Sequence, residues 1–238
     1  MGRPVVHALL PAAGSGRRCG GPVLKQYLPL NGRPVLAHAI DAVNRFPEVA
    51  GLTVVVGADD RIFAELIDPE FAGIETVIGG DTRAESVLNG LVAIRERHPE
   101  AEWVLVHDAA RPCLPPDCLD ELLTRGLAHP DGAILAVPVQ DTLKRGDSER
   151  NIMNTVARDA LWAAQTPQLF PLHRLIAAIE AMLEAGETPT DEASAMEFTG
   201  ARPLLVMGST VNIKITWPGD VAMAEAWMAH NVKEEPIA

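Results

Sequence analysis

The chain has 238 residues, of which 47% are apolar and 22% charged, as is typical of a water-soluble globular protein. Its formal net charge of -12, without any basic stripe, argues against a nucleic-acid partner. No apolar run approaches about 18 residues and no signal peptide is recognisable, so we expect no membrane partner and a cytoplasmic location. Three cysteines, Cys19, Cys113 and Cys118, are an odd number without C-x-x-C spacing, which favours reduced thiols.

Short apolar runs alternate with amphipathic segments from residue 5 to residue 137. The runs predict strands at 5–10, 52–56, 75–78, 103–106 and 133–137, and the segments between them predict helices at 35–43, 60–67, 82–97 and 116–127. Beyond residue 170, helices are predicted at 172–184, 191–198 and 218–230 and strands at 204–207 and 211–215. This alternation indicates a single α/β domain over residues 1–238, with a doubly wound, mostly parallel twisted sheet.

A glycine-rich loop follows the first predicted strand. Gly14 and Gly16 lack a Cβ, so the backbone N–H groups of this loop can approach a ligand closely. Arg17, Arg18 and Lys25 add three positive charges to an otherwise acidic chain. Backbone amides surrounded by cations suit a polyphosphate.

Two familiar phosphate loops do not match this stretch. A Walker A loop beginning at Gly16 would need lysine after Gly21, where the chain has Pro22. The dinucleotide fingerprint G-x-G-x-x-G would need its third glycine at Cys19. An NAD-dependent dehydrogenase is therefore disfavoured.

Three polar segments follow predicted parallel strands and should meet at one edge of the sheet. They are the Gly14 loop, Gly80-Asp81 and Asp108. A carboxylate opposite a polyphosphate loop is a suitable Mg²⁺ ligand, although Asp108 could also simply cap a turn. Arg111 could hold the same loop by pairing with a carboxylate.

Residues 139–158 interrupt the α/β pattern with a polar stretch. Two β-compatible segments flank a turn at 145–151, which predicts a protruding β-arm. An isolated hairpin is only marginally stable in water, so we expect the arm to pack on a second subunit. A mobile surface loop is the alternative.

The loop sequence Pro11-Ala-Ala-Gly-x-Gly-x-Arg, followed by Lys25-Gln-Tyr, resembles the sugar-phosphate nucleotidyltransferases, and within them the 2-C-methyl-D-erythritol 4-phosphate cytidylyltransferases. Further motifs of that family occur in the same order: Gly79-Gly-Asp-Thr-Arg-Ala-Glu-Ser-Val, Val106-His-Asp-Ala-Ala-Arg-Pro, Thr166-Pro-Gln, Thr190-Asp-Glu-Ala-Ser-Ala and Asn212-Ile-Lys-Ile-Thr. The matches extend from residue 11 to residue 216. One departure is Leu24, where the family usually has proline before the loop lysine.

The resemblance implies a Rossmann-like nucleotidyltransferase fold, CTP and a polyol phosphate as substrates, Mg²⁺ as cofactor, and a homodimer formed through residues 139–158. It also implies a role for individual residues. Arg18 and Lys25 would stabilise charge at the α-phosphorus, and Asp108 would contact the nucleotide and the metal. The nucleotide would be bound by Ala12, Ala13, Gly14, Gly16, Gly80, Asp81 and Ser86. The acceptor would be positioned by Thr142, Arg158 and Lys214.

Two other functions remain open at this point. A cytidylyltransferase acting on ribitol 5-phosphate would differ only in its acceptor site. A non-catalytic nucleotide-binding protein is supported by Leu24 alone. The family residues that argue against it are all present: Lys25, Arg18, Asp108, Arg158 and Lys214.

Overall fold

The computed structural model describes residues 4–14, 23–67, 69–71 and 73–231. Its strands are β1 (Val6–Pro11), β2 (Pro29–Leu30), β3 (Arg33–Pro34), β4 (Val49–Val56), β5 (Glu75–Ile78), β6 (Trp103–Val106), β7 (Ala133–Pro138), β8 (Leu143–Gly146), β9 (Ile152–Val156), β10 (Trp162–Pro171) and β11 (Leu204–Met207). Among the described residues, seven strands form the central sheet in the order β11-β7-β10-β6-β1-β4-β5.

The helices cover both faces of this sheet. They are α1 (Val35–Asn44), α2 (Arg61–Leu66), α3 (Arg83–Arg97), α4 (Pro116–Gly126), α5 (Leu172–Glu184), α6 (Glu192–Phe198) and α7 (Asp220–Asn231), with a 3₁₀ turn at Lys25–Tyr27. Successive residues of β1 point to opposite faces, so Ala8 and Leu10 pack with α1 and α4, and Leu9 packs with α3 and α5. None of the described helices has the length and apolar character needed to cross a membrane.

The sheet is mostly parallel, and the predicted fold class is confirmed. Strands β6, β1, β4 and β5 run parallel to one another, and β11 runs parallel to β7. Strand β10 lies between β6 and β7 and is antiparallel to both. Strand β10 was not predicted, because Pro167 lies inside it and proline normally disfavours a central strand. The register shifts between Ala164 and Gln168, which accommodates the proline.

The predicted strand at 211–215 is wrong. This segment belongs to an irregular stretch between β11 and α7. The alternation of apolar and polar residues here does not reflect the two faces of a strand, because apolar Ile215 and polar Asn212 are both fully buried. The Asn212 side-chain amide donates to the carbonyl oxygen of Thr166 at 2.9 Å and so attaches the segment to β10.

The predicted arm is present as a two-stranded hairpin. Strands β8 and β9 pair with each other and form a sheet separate from the central one. Asp147 Oδ1 accepts hydrogen bonds from the backbone N–H groups of Glu149 and Asn151 and so closes the turn between β8 and β9. Ile152 and Met153 on β9 are 68% and 65% exposed, so the arm presents apolar surface to its surroundings.

Helix α3 lies unusually close to the sheet at Gly90. A Cβ atom on this glycine would stand 2.5 Å from Leu9 Cδ1 and 2.8 Å from Val55 Cγ2. Both neighbours are fully buried core side chains, so they have little room to move aside. The close packing brings the first turn of α3 to the edge of the sheet where β1 and β5 end.

We predict that Gly90→Ala destabilises the protein by about 1–3 kcal/mol, because overpacking of the core outweighs the better helix propensity of alanine. Urea unfolding measures the change. Gly219→Ala serves as the control, since a Cβ there meets nothing within 4 Å. Equal stability of the two variants would contradict this account of α3 packing.

Candidate active site

A cavity of about 520 Å³ opens at the edge of the sheet where β1, β5 and β6 end. We call it the rim cavity. It is lined by Pro11, Ala12, Ala13, Gly14, Lys25, Gln26, Gly80, Asp81, Thr82, Arg83, Ser86, Asp108, Ala109, Ala110, Lys214 and Thr216. The carboxyl ends of parallel strands are where open α/β sheets bind ligands. The predicted meeting of three polar segments at this edge is therefore observed.

The chain leaving β1 is fixed by a buried glutamine. Ala12 donates its N–H to the carbonyl oxygen of Val55 at 2.7 Å, which extends the β1–β4 pairing by one residue. The Gln26 side-chain amide donates to the carbonyl oxygen of Ala12 at 2.6 Å. Gln26 is 2% exposed, so this bond is protected from water. It places the neighbouring Lys25 at the rim cavity on the 3₁₀ turn.

The N-terminus of α3 forms a second wall. Thr82 caps the helix in a reciprocal capping box with Glu85, three residues along the chain. Ser86 Oγ donates to the carbonyl oxygen of Thr82 at 2.8 Å and accepts the N–H of Gly80 at 3.1 Å. The helix dipole places partial positive charge at this end, which favours a negatively charged ligand.

Gly79 has to be glycine for the two walls to meet. A Cβ atom there would lie 2.6 Å from the Cβ of Ala13 and 2.7 Å from Ser86 Oγ. The loop after β5 therefore lies directly against the loop after β1. A ligand bound in the rim cavity would contact both loops.

Asp108 carries a buried negative charge surrounded by cations. Its Oδ2 atom lies 2.7 Å from Lys214 Nζ and 3.4 Å from Arg111 Nε, and its Oδ1 atom lies 3.8 Å from Arg83 Nη2. Burial alone would raise the pKa of the carboxyl, but Lys214, Arg83 and Arg111 outweigh burial and hold it well below its usual range. Asp108 is therefore ionised at any physiological pH.

A buried hydrogen-bond chain holds the Asp108 loop. The N–H of Asp108 donates to Thr166 Oγ1 at 2.9 Å, and Thr166 Oγ1 lies 3.1 Å from His107 Nδ1. His107 Nε2 lies 3.0 Å from the carbonyl oxygen of Arg111, which can only accept, so this nitrogen carries the proton. Nδ1 therefore accepts from the Thr166 hydroxyl. Burial lowers the pKa of the His107 imidazole to about 4, which keeps it neutral.

Arg111 has the structural role that the sequence analysis left open. Its Nη1 atom donates to the carbonyl oxygen of Asn212 at 2.6 Å, two residues before Lys214. The same side chain pairs with Asp108. Arg111 thus attaches the irregular segment that carries Lys214 to the loop after β6.

The fit of the predicted Mg²⁺ can be tested on these residues. Within the described parts of the chain, no group of three or more His, Cys, Asp or Glu side chains is arranged to hold a metal ion. Of the carboxylates that line the rim cavity, Asp108 follows β6, and its Oδ1 atom has the longest of its cation contacts. Mg²⁺ commonly takes one or two carboxylates and completes its shell with water and substrate phosphates, so the residues present fit that mode.

Most of the predicted site residues lie together. The rim cavity contains Ala12, Ala13, Gly14, Lys25, Gly80, Asp81, Ser86, Asp108 and Lys214. Gly16 and Arg18 fall outside the described residues. Thr142 and Arg158 do not line the rim cavity. Thr142 is exposed at the start of the arm, and exposed Arg158 lines a second cavity of about 450 Å³ at the base of the arm, with Pro138 and Trp162.

No role was predicted for Gln26, Arg83 or Glu192. All three lie within the motifs that carried the resemblance, which was the available signal. Arg83 Nη1 and Nη2 donate to Glu192 Oε1 and Oε2 at 2.8 and 3.2 Å, and the Glu192 side chain is 1% exposed. Only the fold shows that this pair lies beside Asp108.

A family model described as 2-C-methyl-D-erythritol 4-phosphate cytidylyltransferase matches residues 6–230. The chain belongs to this family. It is similar to the cytidylyltransferase of that name from Shewanella amazonensis, with 47% identity over 91% of this chain and 90% of the relative. The corresponding protein of Stenotrophomonas maltophilia is 50% identical over 91% of this chain and 93% of its own.

Solved structures of the cytidylyltransferase family share the fold. The 2-C-methyl-D-erythritol 4-phosphate cytidylyltransferase of Francisella tularensis superimposes with a TM-score of 0.79 at 35% identity, covering 93% of this chain and 98% of that one. The family resemblance inferred from the motifs is confirmed.

We predict that the folded protein loses stability between pH 6.5 and pH 4. His107 and His7 have folded pKa values of about 4 against an ordinary 6.5, so only the unfolded chain takes up these protons in that range. The free energy of unfolding should fall by about 1–2 kcal/mol per histidine between pH 7 and pH 5. The Asp108 carboxyl has an ordinary pKa of 3.8 in the unfolded chain and a lower pKa in the folded protein, so it is ionised in both states between pH 7 and pH 5 and its contribution is constant over that range.

Urea unfolding at the two pH values measures this loss. The variant His107→Gln keeps a donor and an acceptor but does not titrate, so about half of the pH dependence should disappear and the His7 contribution should remain. An unchanged pH dependence in His107→Gln would show that the imidazole is not held neutral by the fold.

Proposed function

We propose that the protein transfers CMP from CTP to 2-C-methyl-D-erythritol 4-phosphate. The products are 4-diphosphocytidyl-2-C-methyl-D-erythritol and diphosphate, in non-mevalonate isoprenoid synthesis. Membership of the cytidylyltransferase family supports the reaction. The observation that carries the proposal is the meeting of Lys25, Asp108 and Lys214 with two backbone walls in one cavity. Its cations, helix N-terminus and backbone amides suit two phosphorylated substrates.

The reaction needs no nucleophile from the protein. An oxygen of the acceptor phosphate forms a bond to the α-phosphorus of CTP while the bond from that phosphorus to the bridging oxygen breaks. Diphosphate leaves with the bonding electron pair. The protein aligns the two reactants and stabilises the charge that develops. Lys25 supplies positive charge from the rim cavity, and Arg18 stays a sequence-based prediction for the same task.

The two walls divide the nucleotide between them. The loop at Ala12–Gly14 and the cation of Lys25 suit the triphosphate, whereas Gly80, Asp81 and Ser86 suit the cytosine and ribose. The direct contact between Gly79 and Ala13 keeps these parts at a fixed separation. This spacing would hold the α-phosphorus at one position in the cavity.

Asp108 is the residue that would hold Mg²⁺, through the Oδ1 atom. When bound, the ion would neutralise negative charge on the phosphate oxygens as charge shifts to the leaving diphosphate. Asp108 is ionised and its loop is fixed by Thr166, so the carboxylate is ready to bind. The Lys214 side chain is 39% exposed and lines the rim cavity, so it can contact the acceptor phosphate.

The acceptor site requires a second copy of the chain in this proposal. Thr142 and Arg158 lie on or beside the arm, away from the rim cavity of their own chain. The arm exposes Ile152 and Met153, and a two-stranded hairpin with exposed apolar side chains is marginal alone. We therefore propose a homodimer through residues 139–158, in which the arm brings Thr142 and Arg158 to the partner's rim cavity.

A cytoplasmic location is part of the same proposal. Cys113 and Cys118 are both free in the described structure, and burial raises the pKa of the Cys113 thiol to about 12. Reduced and unreactive thiols agree with a reducing compartment.

The decisive test of the reaction is diphosphate release from CTP with each acceptor in turn. We expect release with 2-C-methyl-D-erythritol 4-phosphate and Mg²⁺, and none without an acceptor. Lys25→Ala should lower kcat about 10²–10³-fold, because a charge at the transition state is lost. Faster turnover with ribitol 5-phosphate would assign the alternative acceptor, and binding of CTP without release under any condition would leave a non-catalytic protein.

We predict that two inactive variants complement each other if Arg158 acts in the partner's cavity. Co-expressed Lys25→Ala and Arg158→Ala chains form mixed dimers in which one of the two sites has both residues. Activity should return to about a quarter of the wild-type value, because about half of the dimers are mixed and each has one intact site. Activity that stays at the level of the separate variants would place Arg158 in the site of its own chain.

A further inference from the structure

Glu192 is a buried acid to which the proposed reaction gives no task. Its carboxylate pairs with both terminal nitrogens of Arg83, at 2.8 and 3.2 Å, and its side chain is 1% exposed. Arg83, which lines the rim cavity, is separated from Glu192 by 109 positions in the sequence. A buried acid in a bidentate pair at the wall of the candidate active site calls for a physical role.

Helix α6 holds Glu192 firmly in place. Asp191 caps the helix in a reciprocal capping box with Ser194. Gln168 on β10 accepts the N–H of Ala193 and donates to Asp191 Oδ2, both at 2.9 Å. Glu192 lies between these two anchored residues, so its backbone is fixed and its carboxylate is held in position to pair with Arg83.

Arg83 lies between two carboxylates and is bound by only one of them. Its Nη2 atom is 3.8 Å from Asp108 Oδ1, longer than a hydrogen bond, whereas Glu192 takes both nitrogens at hydrogen-bond length. The two cations closest to Asp108 are Lys214 and Arg111, and both contact Oδ2. Within the described structure, Oδ1 is thus the oxygen of Asp108 with the weaker cation contact.

Removal of the Glu192 charge would change this balance. The Arg83 guanidinium, whose side chain is 37% exposed, would keep its positive charge, and it would face the carboxylate of Asp108, whose side chain is 11% exposed. The two groups would attract each other because the buried carboxylate is poorly screened, even though water reaches the guanidinium. A movement of about 1 Å would bring Nη2 to hydrogen-bond distance of Oδ1.

We propose that Glu192 is a positioning residue that holds Arg83 away from Asp108 Oδ1 and so keeps that oxygen available to Mg²⁺. The inference rests on the proposed function, in which Asp108 holds the ion with CTP. In this proposal Arg83 can compete with Mg²⁺ for Asp108 Oδ1, and Glu192 prevents it from doing so.

The test is a calorimetric titration of Mg²⁺ into the full-length protein saturated with CTP. Glu192→Gln, which keeps the shape but removes the charge, should weaken Mg²⁺ binding about tenfold. The double variant Arg83→Gln/Glu192→Gln should bind Mg²⁺ within about twofold of the wild type, because the competing cation is gone. A structural role alone would make the double variant no better than Glu192→Gln.

Two further variants complete the experiment. Glu75→Gln is the matched control, since Glu75 pairs with Arg97 at 3.1 Å at the far end of β5, and it should bind Mg²⁺ as the wild type does. Arg83→Gln alone should bind Mg²⁺ at least as tightly as the wild type, and it decides the matter if Glu192→Gln does not fold in thermal unfolding.

Three outcomes would overturn the inference. They are normal Mg²⁺ binding in Glu192→Gln, binding in the double variant as weak as in Glu192→Gln, and weakened binding in Arg83→Gln, which would make Arg83 a direct ligand of the nucleotide. A wild-type protein that binds CTP without any Mg²⁺ heat would instead refute the metal site of the proposed function. That failure is distinguishable because it appears before any substitution is made.

Discussion

The buried negative charge of Asp108 requires compensating positive charge, and the fold supplies it from three distant parts of the chain. Arg83 comes from the start of α3, Arg111 from the loop after β6, and Lys214 from the irregular segment before α7. An ionised carboxylate that is 8% exposed is unstable without such partners. The rim cavity can therefore form only when all three segments are docked, so the charge balance of the site and the completion of the fold depend on each other.

Much of this arrangement could be predicted from local patterns. Apolar runs and helical spacing gave the parallel strands and their helices, because burial on both faces leaves a continuous apolar signal. Parallel topology then places the loops after β1, β5 and β6 at one edge, which located Gly14, Gly80 and Asp108 without any coordinates. The Thr82–Glu85 capping box was equally visible, since both of its partners lie within one helical turn.

The rest depends on contacts between residues far apart in sequence, which leave no periodic signal. Strand β10 contains Pro167 and became a central strand only because a shift in register accommodates the proline. The alternation at 211–215 reflects packing of Ile213 and Ile215 with residues of β2, α1 and α7, and not β pairing. The pairing of Arg83 with Glu192, and the place of Arg158 in the second cavity and not in the rim cavity, likewise exist only in the assembled fold.

The position of β10 has a consequence for the order in which the sheet can be assembled during synthesis. The strands made first, β1, β4, β5 and β6, form one block, and β7 cannot join it directly, because β10 must lie between β6 and β7. Residue 171, the last of β10, has to leave the ribosome before β7 can be joined to this block. Until then the two strand edges that β10 will cover, on β6 and on β7, stay unpaired, a state in which protection by a chaperone would have its greatest effect.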